Sequence, residues 1–559
     1  MKYPDIFNPD LSRIGRRDSQ TYNVVAGILV TDVIKTSLGP RGMEKVYIDI
    51  LGEATVTKHG GAFLRKLDVD HPAAKAVVDA VNTVDTHVGD GTISAAVLMG
   101  AMLRQSKELL GRGFPTAVIT RGFEEGMKYA LEALDEIRIE ADAGDRAMMR
   151  SLAVSCLEGK ALFDALPDGR MADVFIDAVC QVADLERGTV NTDDIKIEEK
   201  PGDPADIRLV RGTVIDKPAD NPGMPRTVGN VKVLLLNDPL ETMRTKAESE
   251  IEITSPEQMG RFASQEDLDV LATVKKVVDS GAGLVVSRKG ISGLAQERLA
   301  REGIMSVRRA KYNDLWWLEK STGAKVCRSV EGISGGELGF AGRVHEESVG
   351  GDRMVFVESE DPGSVTILLR AGSKRHLDEF HRTALNAICV LRNFIESPFI
   401  VYGGGSCEAI MAKKIRERAP CLEGKEQVVV ERFADALEEI PMTLARNLGM
   451  SALDALPAMR SMYAVAGNGC WYGVNAGTRE LDDMAGTVVE SLAVKQQVVK
   501  TAVEAANMIL NVDDVFVKDL IDNTHCHIDG TVHAHKEPGR NHNHWEQEGL
   551  EQRQMHHYY

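Results

Sequence analysis

Val88-Gly89-Asp90-Gly91-Thr92-Ile93-Ser94 runs straight into the apolar stretch Ala95 to Leu110. Two glycines around one carboxylate, just before a helix, leave backbone N–H groups and the positive end of the helix dipole aimed at one spot, which suits phosphate. A carboxylate there can hold Mg²⁺, because hard cations take oxygen ligands. The same residues also read as an ordinary turn and helix cap, and alone they leave both readings open. Upstream, Val24, Val25, Ile28, Leu29, Val33 and Ile34 recur at helical spacing between Asp18 and Lys35, and Ser37-Leu38-Gly39-Pro40 supplies the stop. On its own that turn reads as a helix C-cap, with a ligand loop as the alternative. Strand-like runs follow at Val46 to Ile50 and Ala54 to Thr57, then a long helical region from about Ala73 to Leu134 broken by Gly89-Asp90-Gly91.

Between about 205 and 370 the pattern changes. Val231 to Leu236, Leu284 to Ser287, Met305 to Arg308, Met354 to Val357 and Val365 to Leu369 read as short strands of an α/β section. Inside it, Ser255-Pro256-Glu257-Gln258 carries an N-cap, a proline at the first helical position and Gln three residues after the cap, so a long helix starts there. After Gly372 helical patterning returns through Asp378 to Phe394, Cys407 to Arg418, Glu426 to Leu448 and Val488 to Leu510. The two chain ends resemble each other more than the middle, which predicts a discontinuous helical domain carrying an α/β insert. Gly403-Gly404-Gly405 reads as a close backbone approach to a ribose or phosphate, or as a hinge.

The 559 residues predict about three or four domains. With 43% hydrophobic and 27% charged residues the composition is that of a globular protein. A formal charge of -18 argues against nucleic acid as the main partner, since a phosphate-backbone surface needs a Lys/Arg excess. The longest strongly apolar stretch, Ile93 to Leu103, is shorter than the roughly 20 residues that span a bilayer, and MKYPDIFNPD lacks a basic-then-apolar signal; a cytoplasmic protein without a membrane partner is expected. Eight scattered cysteines with no C-x-x-C pair read as free, buried thiols. His525 to Tyr559 lacks apolar periodicity and holds eight of the 14 histidines, in pairs such as His525/His527 and His533/His535. A flexible tail is expected, with soft-metal binding and a solvated tail as open alternatives.

Six motifs then recur in order: Thr36-Ser37-Leu38-Gly39-Pro40-Arg41-Gly42-Met43, Val69-Asp70-His71-Pro72-Ala73-Ala74-Lys75, Val88 to Thr92, Gly403-Gly404-Gly405, Glu431-Arg432-Phe433-Ala434-Asp435-Ala436-Leu437-Glu438-Glu439-Ile440-Pro441, and Gly473-Val474-Asn475. In order and separation they resemble a group II chaperonin (thermosome) subunit, from about residue 10 to 521. The resemblance implies a multidomain α and α/β fold. Its equatorial ATP-binding domain would take 1–145 and 403–522, and its intermediate domain 146–213 and 371–402. The apical client-binding domain would take 214–370, with a helical protrusion at about 242–278, leaving the tail at 523–559. It also implies ATP and Mg²⁺ as cofactors, homologous subunits in a double ring as partners, and unfolded polypeptides as clients. By motif matching, Leu38, Gly39, Pro40 and Gly60 would line the nucleotide, Asp90 would hold the metal, and Gly91, Thr92 and Ser94 would bind phosphate. Gly404, Asn475, Glu490 and Lys495 would flank base and ribose, and Lys160 would sense the γ-phosphate; a solvated surface lysine is the alternative for Lys160.

The departures from the family pattern bear on turnover. Where the family reads Asn-Asp-Gly this chain reads Lys58-His59-Gly60, and where it has an aspartate in Arg-x-x-x-Asp-Ala this chain has Asn386. An amide cannot take a proton from water, and a general base contributes about 10²- to 10⁴-fold. Lys58 adds a positive charge near the phosphates. His59 reads as a hydrogen-bonded loop histidine, with a substitute base as the alternative. Ile93 and Ser491 replace a threonine and a proline of the pattern. The expectation is a nucleotide-binding ring subunit that assists folding with impaired hydrolysis. Its rivals are a non-hydrolysing regulatory or structural subunit of mixed rings and a nucleotide-independent holdase. Met259, Phe262 and one of the adjacent Trp316 and Trp317 are candidate client contacts, against core packing.

Overall fold

The computed structural model describes residues 11–14, 16–166, 169–241, 256–333, 335–466, 469–513, 515–518, 524–526 and 532–534. The described residues up to Tyr22 and from Val512 onward form one compact unit, and those of Asn23–Asn511 form another. In the first, Leu11–Ile14 pairs antiparallel with Val515–Lys518, and Thr524–Cys526 with Val532–Ala534. Most of the tail, the stretch 242–255 of the expected protrusion, and the side chains of Met259 and Phe262 lie outside the described residues.

Among the described residues the large unit holds three large hydrophobic cores and two small clusters. The first gathers both ends of its chain. Helix α1 (Arg16–Lys35), of which the part from Asn23 belongs to the large unit, leads into a hairpin of Lys45–Ile48 and Ala54–Thr57; then come α2 (Gly60–Lys66), α3 (Pro72–Val88), α4 (Thr92–Gly111) and α5 (Thr116–Ile137). Helix α3 begins on Pro72 with the His71 imidazole capping Ala73 N–H, and stops on Gly89 in left-handed backbone. Helix α4 is apolar on nearly every side and accordingly central, with Ala95 through Leu103 buried.

The second core packs α6 (Arg146–Leu157), the short α7 (Ala161–Ala165) and α8 (Arg170–Val182) against α12 (Lys374–Glu396, described below in chain order) and a three-stranded sheet. In that sheet Val365–Ala371 lies between Ile195–Pro201, parallel, and Arg208–Val210, antiparallel. The third core belongs to a seven-stranded mixed sheet in the order Met305–Val307, Ala282–Ser287, Thr227–Leu236, Gly339–Val349, Asp352–Glu358 and Gly212–Ile215, with Val326–Cys327 also paired to Thr227–Leu236. Helices α9 (Pro256–Asp279), α10 (Gly293–Arg301) and α11 (Tyr312–Thr322) accompany it, before α12 returns the chain. The last helices are α13 (Ser406–Arg418), α14 (Lys425–Leu437), α15 (Glu439–Asn447), α16 (Ala452–Ala466) and α17 (Leu492–Leu510).

Several sequence expectations need correction. The region from Ala73 to Leu134 breaks a second time, at Arg112–Pro115, where Gly113 turns left-handed and Pro115 cannot continue a helix. Glu426 to Leu448 is two helices meeting at Glu438, and Val488 to Leu510 opens with the strand Val489–Ser491. Strand Gly339–Val349 and helix α16 were not anticipated, the first because glycine and charge interrupt its alternation, the second because Pro457 lies inside it. Trp316 and Trp317 are both half-buried: Trp317 donates to Asp193 O at 2.9 Å and Lys196 Nζ sits 5.1 Å over its ring. The described cysteines are free, but only Cys156, Cys327 and Cys407 are buried, and Cys421 is exposed.

Ion pairs fix α15. Glu438, 2% exposed in its side chain, accepts from Arg416 at 2.6 and 2.7 Å and from Arg460, while Glu439 pairs with Lys35 of α1 and with Arg446. Burial opposes both charges, but these cations outweigh it and hold both carboxyls below their ordinary range. The helix so anchored faces the site with Leu444 and Asn447.

Candidate functional site

All fifteen residues expected to hold the nucleotide or metal or to act in turnover line one cavity of about 350 Å³. That volume suits a small-molecule ligand. The cavity is assembled in the large unit from segments spread over most of the chain, so each wall has its own local cause.

One wall is the turn after α1. Ser37 Oγ donates to Met43 O at 2.6 Å, Gly39 adopts φ +85°, and Asn447 Nδ2 donates to Lys35 O at 3.2 Å and Leu38 O at 2.9 Å. Leu38, Gly39 and Pro40 are thus held in place from α15. Opposite stands the α3–α4 junction. Gly91 caps α4 with φ +81°, and a Cβ there would lie 2.7 Å from Val498 and 2.9 Å from Val494, so only glycine fits. No side chain caps α4, which leaves the N–H groups of its first turn, with Thr92 and Ser94, open to the cavity. Among the described residues no hydrogen bond is made to the Asp90 carboxylate.

A third wall holds a buried charge cluster. Lys495 Nζ lies 2.8 Å from Glu408 Oε1 and 2.5 Å from Glu490 Oε2, with Lys495 and Glu408 buried. Burial works against the ammonium, but the two carboxylates raise its pKa. Glu490 is pushed up by burial, with Lys495 opposing and Glu408 and Asp90 adding repulsion. The ammonium is consumed by these partners, which leaves Glu490 as the polar group of the pair that faces a ligand. Beside it, Gly404 and Gly405 take φ +68° and +78°, and Val474 N donates to Gly404 O at 2.8 Å. Asn475 spends its amide oxygen on Gly477 N–H at 2.9 Å, so its Nδ2 is the end available to a ligand.

The fourth wall carries the substituted positions. His59 caps α2: Nδ1 accepts from Ala62 N–H at 3.1 Å, and Nε2 lies 3.1 Å from Asp85 Oδ1 in a bent contact. A ring nitrogen that accepts a backbone N–H has no lone pair left for a water proton, so His59 is a structural cap here. Burial raises Asp85, but His59 and Arg65 outweigh it and hold its carboxyl below the usual range. Gly60 begins α2. Asn386 is buried in α12 at the cavity wall, and among the described residues its amide makes no hydrogen bond. Two turns earlier on the same face is Glu379, which accepts from Thr57 Oγ1 at 2.8 Å and Arg382 Nη2 at 2.8 Å. Lys160 is half-buried in the wall, 3.5 Å from Cys156 Sγ, rather than solvated at the surface. Burial disfavours its charge, but the hydrogen bond to Cys156 Sγ and the Asp90 and Glu379 carboxylates outweigh it and raise its pKa. The Cys156 thiol itself is pushed up to about 12 by burial, so it is uncharged and inert at neutral pH. Lys58 Nζ donates to Pro40 O at 2.6 Å and Gly159 O at 2.9 Å.

Sequence reading missed Glu379, Cys156, Leu444 and Asn447. They are ordinary residues on ordinary helices, and only packing brings them to the cavity. The donor set fits Mg²⁺ bound together with phosphates: a single unpartnered carboxylate beside a helix N-terminus suits an ion that keeps several waters. No cluster of three or more His, Cys, Asp or Glu fit for a metal cage occurs among the described residues. Nor is any described helix long and apolar enough to cross a membrane.

The TCP-1/cpn60 chaperonin family profile matches residues 30–519. A thermosome subunit of Methanocaldococcus jannaschii is 39% identical over 515 residues, covering 92% of this chain and 94% of its own. One of Methanopyrus kandleri is 40% identical over 504 residues, covering 89% and 92%. The thermosome subunit beta of Methanothermobacter thermautotrophicus is 39% identical over 508 residues, covering 90% and 93%. The chain therefore belongs to the TCP-1/cpn60 chaperonins as a group II, thermosome-type subunit, and its multidomain α and α/β architecture is that of the group.

Proposed function

We propose that this chain is a chaperonin subunit that joins homologous subunits in double rings, binds ATP with Mg²⁺ in the cavity, and helps enclose unfolded polypeptides, while turning ATP over slowly itself. The observation that carries this reading is a ligand cradle whose phosphate-facing parts are complete, with no free base at position 59 or 386. In this proposal the equatorial, intermediate and apical domains follow the three main hydrophobic cores, with one shift from the expected boundaries: the strand Val365–Ala371 goes with the intermediate domain, because Val365, Ile367 and Leu369 pack in the second core. Assembly is supported by the hairpin Lys45–Ile48 and Ala54–Thr57. Val46, Ile48, Ile50 and Leu51 are exposed along it, and a lone two-stranded ribbon with apolar side chains calls for a partner.

Bound Mg²⁺ neutralises phosphate charge. The chain's own residues would do the rest: Asp90 orients the ion, the first turn of α4 donates N–H groups to phosphate oxygens, and Lys160 contributes its ammonium. Glu490 and the Asn475 amide meet the ribose and base. Asn386 can hold a water in place but cannot accept its proton. Loss of both acids within an intact cradle favours, as a second reading, a regulatory subunit of mixed rings. A cycle needs open and closed forms that differ in affinity for the nucleotide states, and a ring unable to hydrolyse would rest in one of them.

The test is equilibrium binding of ATP to the purified full chain with and without Mg²⁺, together with electron microscopy of the particles it forms. Binding at about micromolar Kd that weakens without Mg²⁺, in double rings, is expected. No binding at millimolar ATP would overturn the reading.

A further inference from the structure

Lys58, in the fourth wall, joins two loops that are far apart in sequence. Its ammonium bridges two backbone carbonyls from distant parts of the chain, Pro40 O at 2.6 Å and Gly159 O at 2.9 Å. All three residues border the cavity, as does Lys160. The two loops already touch: Gly159 has φ +72°, and a Cβ there would lie 2.2 Å from Pro40 O. One loop, the turn after α1, is fixed from behind by Asn447. The other, Glu158-Gly159-Lys160, joins α6 to α7 and carries the lysine that faces Asp90.

Among the described residues no carboxylate lies within ion-pair distance of Lys58, so its charge is met by the two carbonyl dipoles. An ammonium with two of its three donors committed to backbone is ill placed to be a phosphate ligand. Charged hydrogen bonds of this kind are about twice as strong as neutral ones. We infer that Lys58 is a tether that seats the Glu158–Lys160 loop on the Pro40 turn before any nucleotide arrives, so that the protein rather than the terminal phosphate sets the loop's position. Resting on the reading of the cavity as a nucleotide site, it further means that bound nucleotide escapes slowly.

Hydrogen exchange in the ligand-free full chain tests the tether without nucleotide. The amides of Glu158, Lys160, Phe163 and Asp164 donate to Val154, Leu157 and Lys160 carbonyls and report whether the loop is seated. In Lys58→Met, which keeps the apolar stem, and in Lys58→Asn, peptides over 157–164 exchange about tenfold faster or more, with the rest of the chain unchanged. In the wild type, adding ADP or ATP with Mg²⁺ leaves these peptides within about twofold of their ligand-free rate, a readout that needs no variant. Release of a fluorescent ADP analogue speeds up about tenfold in both variants. Unchanged exchange in folded variants would overturn the tether, as would strong extra protection of the wild-type loop by ATP. Weaker ATP affinity with unchanged ligand-free exchange would assign the ammonium to phosphate and overturn it equally. Absence of nucleotide binding would defeat the functional reading while leaving the ligand-free result to judge the tether.

Discussion

At one end of the cavity the Gly39 turn, the Asp90–Ser94 helix start, the Gly404-Gly405 turn and the Glu408–Lys495–Glu490 cluster keep every element that a phosphate, ribose and base would meet. At the other end His59 is spent on capping α2, Lys58 on backbone carbonyls, and Asn386 offers an amide. The difference has a physical cause. The first end is built from left-handed glycines and buried ion pairs, each locked by several neighbours, so that a change there strains the fold. In the proposed reading the second end has an amide at Asn386, which matches an aspartate in size, and an imidazole at His59 that its own cap holds in place, so the wall keeps its shape and only proton transfer is lost. Recognition and chemistry can therefore separate within one pocket.

The sharpest way to break this contrast is at the buried cluster. Lys495→Met leaves Glu408 and Glu490 without their cation, and about 3 to 5 kcal/mol of stability should be lost, read as a lower denaturant midpoint. A loss under about 1 kcal/mol would mean that the cluster is not what locks the wall. Next, Asp90→Asn removes the single unpartnered carboxylate beside α4. ATP affinity in Mg²⁺ should fall roughly tenfold or more while affinity without Mg²⁺ barely moves. An equal fall in both would place Asp90 elsewhere in recognition.

The altered end should respond differently. His59→Ala costs about 1 kcal/mol through the lost cap and leaves turnover within twofold. A collapse of residual turnover would restore His59 as a base. The smallest effect concerns Asp85, whose carboxyl is held below its ordinary 3.8. A depressed carboxyl stabilises the fold above that value and loses its contribution as pH falls through the lower folded value. Between pH 5 and 3 the wild type should therefore lose more stability than Asp85→Asn, by about 1 kcal/mol or less. An identical acid profile would mean that the His59–Asp85–Arg65 contact carries no energy.

How far the sequence reaches follows the same divide. Glycines at turns were legible, because left-handed backbone favours that residue type, and Asp90 stood out as a carboxylate between two of them just before a helix. Helix α3 could be read from helical patterning that begins near Ala73 and from the break at Gly89-Asp90-Gly91. Residues that act through distant packing were not legible: Asn447 grips carbonyls of the Leu38 turn from α15, and Glu379 meets Thr57 from α12. Nor does any motif reveal that Lys58 binds carbonyls rather than phosphate, since carbonyl partners leave no trace in residue type. The substitutions at His59 and Asn386 were visible, but that His59 has no free ring nitrogen for a water proton became clear only from its cap to Ala62 and its approach to Asp85.

The central claim is that binding persists where proton transfer has been removed. Single-turnover ATP hydrolysis with Mg²⁺, measured beside ATP affinity for the wild type and for Asn386→Asp combined with His59→Asp, tests it most directly. An aspartate at 59 can still cap α2, so the double variant keeps the wall. The expected result is slow wild-type turnover, raised about 10²-fold or more in the double variant, with affinity changed by less than about threefold. Brisk wild-type turnover that the double variant does not raise would mean that another group serves as the base, and would contradict the separation of recognition from chemistry.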